Sequence, residues 1–238
     1  MAERACHWWD RVERFDDDGR TRGGGAADRG RAAMDLLDHI NRTHRAVKRG
    51  TELNSVILTR AYDTTLTELW DACVNPERLP RWFEPVSGDL REGGRYRLEG
   101  RGIEGTIEVC VPRERLRVTW EDSGAGSFVE VTLREEGDQA VLRVEHVQAG
   151  GDFWDTFGPS ATGVGWDGSV LSLALHLAGD PRATPEEMAK VGASEEGVEF
   201  MRRTASAWAD ADVEAGADPD HARGTADRTF AFYTGAEQ

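Results

Sequence analysis

The chain lacks any uninterrupted apolar run of the roughly eighteen residues that a bilayer-spanning helix requires. Charges break up residues 1–30 throughout, so no hydrophobic segment of the signal-peptide kind stands there. Cysteine is scarce. Cys6, Cys73 and Cys110 are scattered, odd in number and without Cys-x-x-Cys spacing, which argues against a disulfide framework and fits a reduced compartment. Positive charge is in deficit, with 29 Lys and Arg against 44 Asp and Glu and a net charge of −15. A nucleic-acid backbone or an anionic membrane surface needs a positive footprint, so neither is expected as a partner. The expectation is a soluble, cytoplasmic protein whose acidic surface serves solubility. Hydrophobic residues make up 39% of the 238, few enough that part of the length should lie outside the core.

Motifs for cofactors are missing as well. Gly93-Gly94 stands before a strand rather than between a strand and a helix, so it reads as a turn and not as a phosphate or dinucleotide loop. Cys6-His7 has no partners at zinc spacing, and Asp152, Asp155 and Asp167 lack the spacing of a metal loop. No cofactor and no metal are expected.

What is present falls into four stretches. Residues 1–33 mix Arg with Asp and Glu, include Gly23-Gly24-Gly25 and show no sustained period, which predicts a disordered or non-native arm with Met34 as the natural start. Residues 34–50 form the second stretch, where Leu36, Ile40, Thr43 and Val47 fall on one stripe and predict an amphipathic helix. From Ser55 to Tyr62 the pattern is a strand, and Thr64 or Thr65 then caps a helix that runs to Val74 with Leu66, Leu69, Trp70 and Cys73 inside. Asn75-Pro76 stops that helix, because proline lacks the N–H a helix interior needs. Leu79, Trp82 and Phe83 give a second short helix its apolar face. Five strands follow at regular spacing: Arg95–Gly100, Gly105–Val111, Arg115–Glu121, Ser127–Arg134 and Ala140–Gln148. In the last, Leu142, Val144 and His146 alternate with Arg143 and Glu145.

Asp152–Gly165 reads as a glycine-rich connection, followed by a helix from Trp166 to Ala178. That helix is apolar on more than one side and so must be covered on more than one side. Ser194–Gly216 and Pro219–Tyr233 supply two further amphipathic helices to cover it. The predicted organisation is a domain over 51–180 and a helical C-terminal extension over 181–238 packed on it.

Several stretches carry a resemblance: Leu69-Trp70-Asp71-Ala72, Asn75-Pro-Glu-Arg-Leu-Pro-Arg-Trp-Phe83, Glu92-Gly93-Gly94, Pro112-Arg-Glu-Arg-Leu116 with Val118-Thr119-Trp120, and Gly165-Trp166. Through them, Ser55 to Ala178 resembles the START/Bet v 1-like (SRPBCC) superfamily, and within it the branch named after the activator of the Hsp90 ATPase. The resemblance implies an α+β helix-grip fold, an antiparallel sheet wrapped around a long C-terminal helix, with additional helices here. It also implies a cavity between sheet and helix, and it says little about function, because the matching positions are helix stops, turns and core aromatics.

In such a cavity the inward-facing residues would be Tyr96, Leu98, Trp120, Leu142, Val144 and His146 from strands, closed by Trp82, Phe83, Trp166 and Val170 from helices. A mostly apolar cleft with few polar groups suits a small, largely apolar ligand, with His146 to orient it. His146 is also the weak candidate for catalysis, as a general base of a cyclase- or hydrolase-like enzyme. Against a pocket stands a core simply filled by aromatics. Ser172 and His176 lie one helical turn apart without a nucleophile elbow or an acidic partner, so they predict no hydrolytic pair. An interaction or chaperone-related module is the remaining alternative, and the helical extension would serve either to close the pocket or to form a homodimer.

Overall fold

The long apolar alternations pair into one antiparallel sheet. In a computed structural model, which describes residues 36–235 apart from 122, 123 and 125, eight strands lie in the order β1-β2-β8-β7-β6-β5-β4-β3. They are β1 Thr43–Lys48, β2 Leu53–Tyr62, β3 Val86–Gly88, β4 Arg95–Leu98, β5 Ile103–Val111, β6 Arg115–Thr119, β7 Phe128–Glu136 and β8 Gln139–Ala149. The register places Val144 opposite Leu58 on one side and Val131 on the other, so the inner face is a continuous apolar surface. Outside, Arg115 meets Glu130 and Arg117 meets Glu108, which keeps those glutamates out of the core. The predicted arm over 1–33 lies outside the described residues.

Between β2 and β3 run α2, Leu66–Val74, and a short 3-10 turn, Leu79–Arg81. Thr65 starts α2 by accepting from the Glu68 N–H, and Asn75 ends it at Pro76. The second short helix is reduced to that single 3-10 turn, since Pro76 and Pro80 both lack donors. Trp82 still anchors it, donating Nε1–H to the Ala72 carbonyl at 2.9 Å.

After the sheet come α3, Asp152–Phe157, and the long α4, Ser160–Leu177, around which the sheet curls in a helix grip. Three further helices follow: α5, Pro185–Gly192; α6, Glu195–Glu214; and α7, Pro219–Thr234. The α6 helix packs on α4 and β1, and α7 packs on α6 and α3. Ala205, Trp208, Ala209, Ala222 and Ala226 of these helices belong to the same buried cluster as the sheet residues.

Two expectations need correction. Of the helix predicted across 34–50, the described residues are helical only over α1, Leu36–Asn41, and turn into β1 after it. The spacing of four between Thr43 and Val47 is a multiple of two, so it fits a strand as well as a helix. Two β-branched residues and a free edge on β2 decide for the strand. The connection before Trp166 is likewise helical, with α4 beginning at Ser160. Gly163 and Gly165 lower helix propensity there, but packing requires the first of them. A Cβ at Gly163 would stand 2.2 Å from the Trp208 indole, so only glycine lets α6 approach.

Candidate functional site

The curled sheet and α4 do not meet everywhere. Between them is a chamber of ≈ 120 Å³ with walls that are almost wholly apolar. Nine of the ten residues expected there line it: Trp82, Phe83, Tyr96, Leu98, Trp120, Leu142, Val144, Trp166 and Val170. Val86 and Ile107, with Leu116, Val118, Val129 and Val131, complete its sheet wall. Alternation in β6 and β7 was the available signal for the residues of those two strands. The aromatic side is a connected set of rings. Phe83 and Trp166 are stacked at 12° with centroids 6.4 Å apart, and Trp120 lies 5.9 Å from Trp166.

His146 is the exception. It is buried in phase with Leu142 and Val144, yet it does not reach the chamber wall, because Trp120 and Trp166 stand beside it at 5.4 and 6.1 Å. Trp166 donates its Nε1–H to His146 Nδ1 at 3.1 Å, which places the imidazole proton on Nε2. Burial, with Arg101 nearby, lowers its pKa to about 4. The ring is therefore neutral at pH 7 and fixes the orientation of Trp166.

The remaining polar groups of the chamber are also occupied or inert. Tyr96 donates its hydroxyl to the Thr119 carbonyl at 2.7 Å, and Ser169 donates to the Gly165 carbonyl at 3.1 Å. Burial pushes the Cys73 thiol up to about 12, so no thiolate is available at pH 7. Just outside, Ser172 Oγ sits 2.6 Å from both the Trp82 and Ala183 carbonyls, while His176 Nε2 faces Arg78 Nη2 at 3.1 Å. These two form no nucleophile–base pair. Among the described residues no group of three His, Cys, Asp or Glu could hold a metal ion. The arrangement can enclose an apolar body and offers it no poised acid, base or nucleophile.

Asp167 is engaged elsewhere. It is fully buried on the opposite side of α4, where Arg45 Nη2 meets Oδ1 at 2.6 Å and Trp208 Nε1 donates to Oδ2 at 2.7 Å. No helix among the described residues is long and apolar enough to cross a membrane.

Comparison with known proteins places the same elements in context. A family profile described as Activator of Hsp90 ATPase homolog 1-like protein matches residues 63–178. The crystal structure of CalU16 from Micromonospora echinospora is 34% identical, with 71% of this chain and 97% of that chain covered and a TM-score of 0.57. Its solution NMR structure gives 33% identity, 73% and 97% coverage and a TM-score of 0.60. A conserved protein of unknown function from Enterococcus faecalis, 13% identical with 74% and 95% covered, shares the fold at a TM-score of 0.52. No curated protein matches the chain.

Proposed function

Because the chain belongs to the Activator of Hsp90 ATPase homolog 1-like family and keeps an apolar void at its centre, we propose that it binds a small, largely apolar molecule in that chamber. The void carries the reading. Protein cores pack nearly as densely as organic crystals. A residual cavity costs roughly 24 cal/mol per Å³. At ≈ 120 Å³ the chamber forgoes about 3 kcal/mol, which an apolar ligand would recover. An apolar cavity of this kind stays dry, and about 150 Å³ is enough to take up benzene. The part of the ligand held inside is therefore no larger than one ring.

The catalytic reading of the chamber has less support. His146 stands behind two indoles, and a base with a pKa near 4 accepts protons poorly at neutral pH.

Native mass spectrometry of freshly purified protein, with toluene titrated by calorimetry, tests the proposal. A co-purifying molecule, or toluene binding that raises the melting temperature and is lost in Val144→Phe, is the expected result. Protein that carries nothing and is indifferent to saturating toluene would sink it.

A further inference from the structure

A second cleft, ≈ 370 Å³, opens between α4 and the α5–α6 segment. It shares Trp82, Phe83 and Ser169 with the inner chamber, so a single layer of side chains separates the two spaces. The inner chamber is below the roughly 300–1,000 Å³ of ordinary small-ligand pockets, whereas the outer cleft is within that range.

Glycine keeps the cleft open. A Cβ at Gly168 would meet no atom within 4 Å, whereas at Gly163 on the same helix it would strike Trp208. Glycine weakens a helix interior. Packing explains it at Gly163, whereas at Gly168 no neighbour excludes a side chain and its place in the wall stays open. The opposite wall is α5, which contributes Met188 and Val191 and contains no fully buried residue.

Among the described residues, Arg101 is the one cationic residue lining this cleft, and no carboxylate lines it. Its Nε meets the carboxylate of Glu84, and its guanidinium carbon lies 4.7 Å over the Phe83 ring. Glu84 also accepts the Arg101 backbone N–H at 3.0 Å. The two terminal guanidinium nitrogens make no hydrogen bond to any described residue. Arg101 is thus held in place from one side, leaving a pair of donors in the fork geometry that suits a carboxylate. The net charge of −15 opposes an anion at long range, but salt screens it beyond about 8 Å.

We propose that the cleft is the second compartment of the ligand site and that the ligand is an amphipathic acid. Its ring-sized apolar end passes Phe83 into the inner chamber, and its carboxylate or similar oxyanion rests on Arg101. This rests on the reading of the chamber given above, and the test separates the two. Calorimetry compares toluene with phenylpropanoate, phenylpentanoate and phenylheptanoate on the full chain. The same titrations are run on Gly168→Leu and on the charge-neutral double variant Glu84→Gln/Arg101→Gln. Gly168→Leu should fold, since leucine is the better helix former and its Cβ has open space.

At least one of the acids is expected to bind roughly tenfold or more tightly than toluene. Each variant should abolish that gain while leaving toluene binding unchanged. If toluene binds and no acid improves on it, as when a protein segment fills the cleft, the inference is overturned and the chamber stands. A gain that survives both variants overturns it as well. If neither toluene nor any acid binds, the chamber reading fails and takes the inference with it.

Discussion

The face of α4 toward the sheet and the part of its other face that meets Trp208 and Arg45 are buried by opposite means. Toward the sheet, Trp166, Val170 and Leu173 meet apolar walls and leave space unfilled. Toward the helices, Gly163 admits Trp208 at van der Waals limits, and Asp167 ties Arg45 and Trp208 together without exposure to solvent. Arg49 adds a second pair with the buried Asp212 at 2.6 Å. Directional bonds fix the register where close packing is required. Toward the chamber the bonds are few, Trp166 Nε1–H to His146 and the Tyr62 hydroxyl to the Val170 carbonyl, and the wall itself is apolar. The C-terminal helices therefore work as a rigid back to α4, which lets its front tolerate a void.

The largest effect should come from the rigid face. Asp167→Ala strands the Arg45 guanidinium, whose side chain is 6% exposed, in a buried site. Removing one partner of a buried pair costs about 3–5 kcal/mol. Replacing both, as Arg45→Met with Asp167→Leu, should return part of that loss, since an apolar pair needs no solvation while the buried Trp208 Nε1–H loses its acceptor. Denaturant midpoints measure both. Equal losses in the single and double variants would show that the bonds Asp167 makes to Arg45 and Trp208, and not a stranded charge, carry the stability of this face.

A second difference between the faces is their histidines. His146 lies on the sheet side with Nδ1 bonded and Nε2 unpartnered. His39 lies on the other side with neither ring nitrogen partnered, and burial followed by Arg60, Arg45 and Arg42 lowers its pKa to about 2. Both are neutral in the fold, with pKa values below those of the unfolded chain. The unfolded state therefore takes up protons first as pH falls below 6.5, and stability declines with it. His146 accounts for its share between 6.5 and about 4, on the order of 3 kcal/mol at about 1.4 per unit, and His39 continues the decline toward 2. His146→Asn keeps an acceptor for Trp166 and removes the titration. Its denaturation midpoints from pH 7 to 4 should fall less steeply, by one proton. An unchanged slope would mean that His146 is already charged in the folded protein.

These two faces were not equally legible in the sequence. The sheet side could be read because alternation is local. Leu142 and Val144 against Arg143 and Glu145 fix which face is inward without knowledge of the rest of the chain. The Thr65 cap and the Asn75-Pro76 stop are equally local. The same logic shows why His146 was misplaced relative to the chamber. Phase decides the face of a strand, but not that Trp166, twenty residues on, will stand between the ring and the cavity. On the other face the two covering helices were readable from their apolar stripes, but not the contacts that lock them to α4. Arg45 and Asp167 lie 122 residues apart, and neither has a local pattern that announces a buried pair. Gly163 looked like a helix breaker because its reason is Trp208 on another helix. Even β1 was hidden, since its two buried residues satisfy both periods at once.

The finest test of the contrast adds one carbon to each face. Gly163→Ala puts a methyl where the Trp208 ring already stands, 2.2–2.5 Å away, and the ring, which is completely buried, has nowhere to move. Overpacking of this sort typically costs about 1–3 kcal/mol, although alanine is the better helix former. Val144→Ile adds one carbon to a residue that lines the chamber, where it meets empty space. It should cost nothing and gain up to about 0.8 kcal/mol, the transfer value of one methylene. The same variant should also weaken toluene binding, because the carbon occupies volume the guest needs. Urea midpoints of opposite sign would confirm that the void is real and that the two faces of one helix obey different packing rules. A loss of stability in Val144→Ile comparable to that in Gly163→Ala would mean the chamber is closed in solution, and the space available to a ligand would have to be sought in the outer cleft alone.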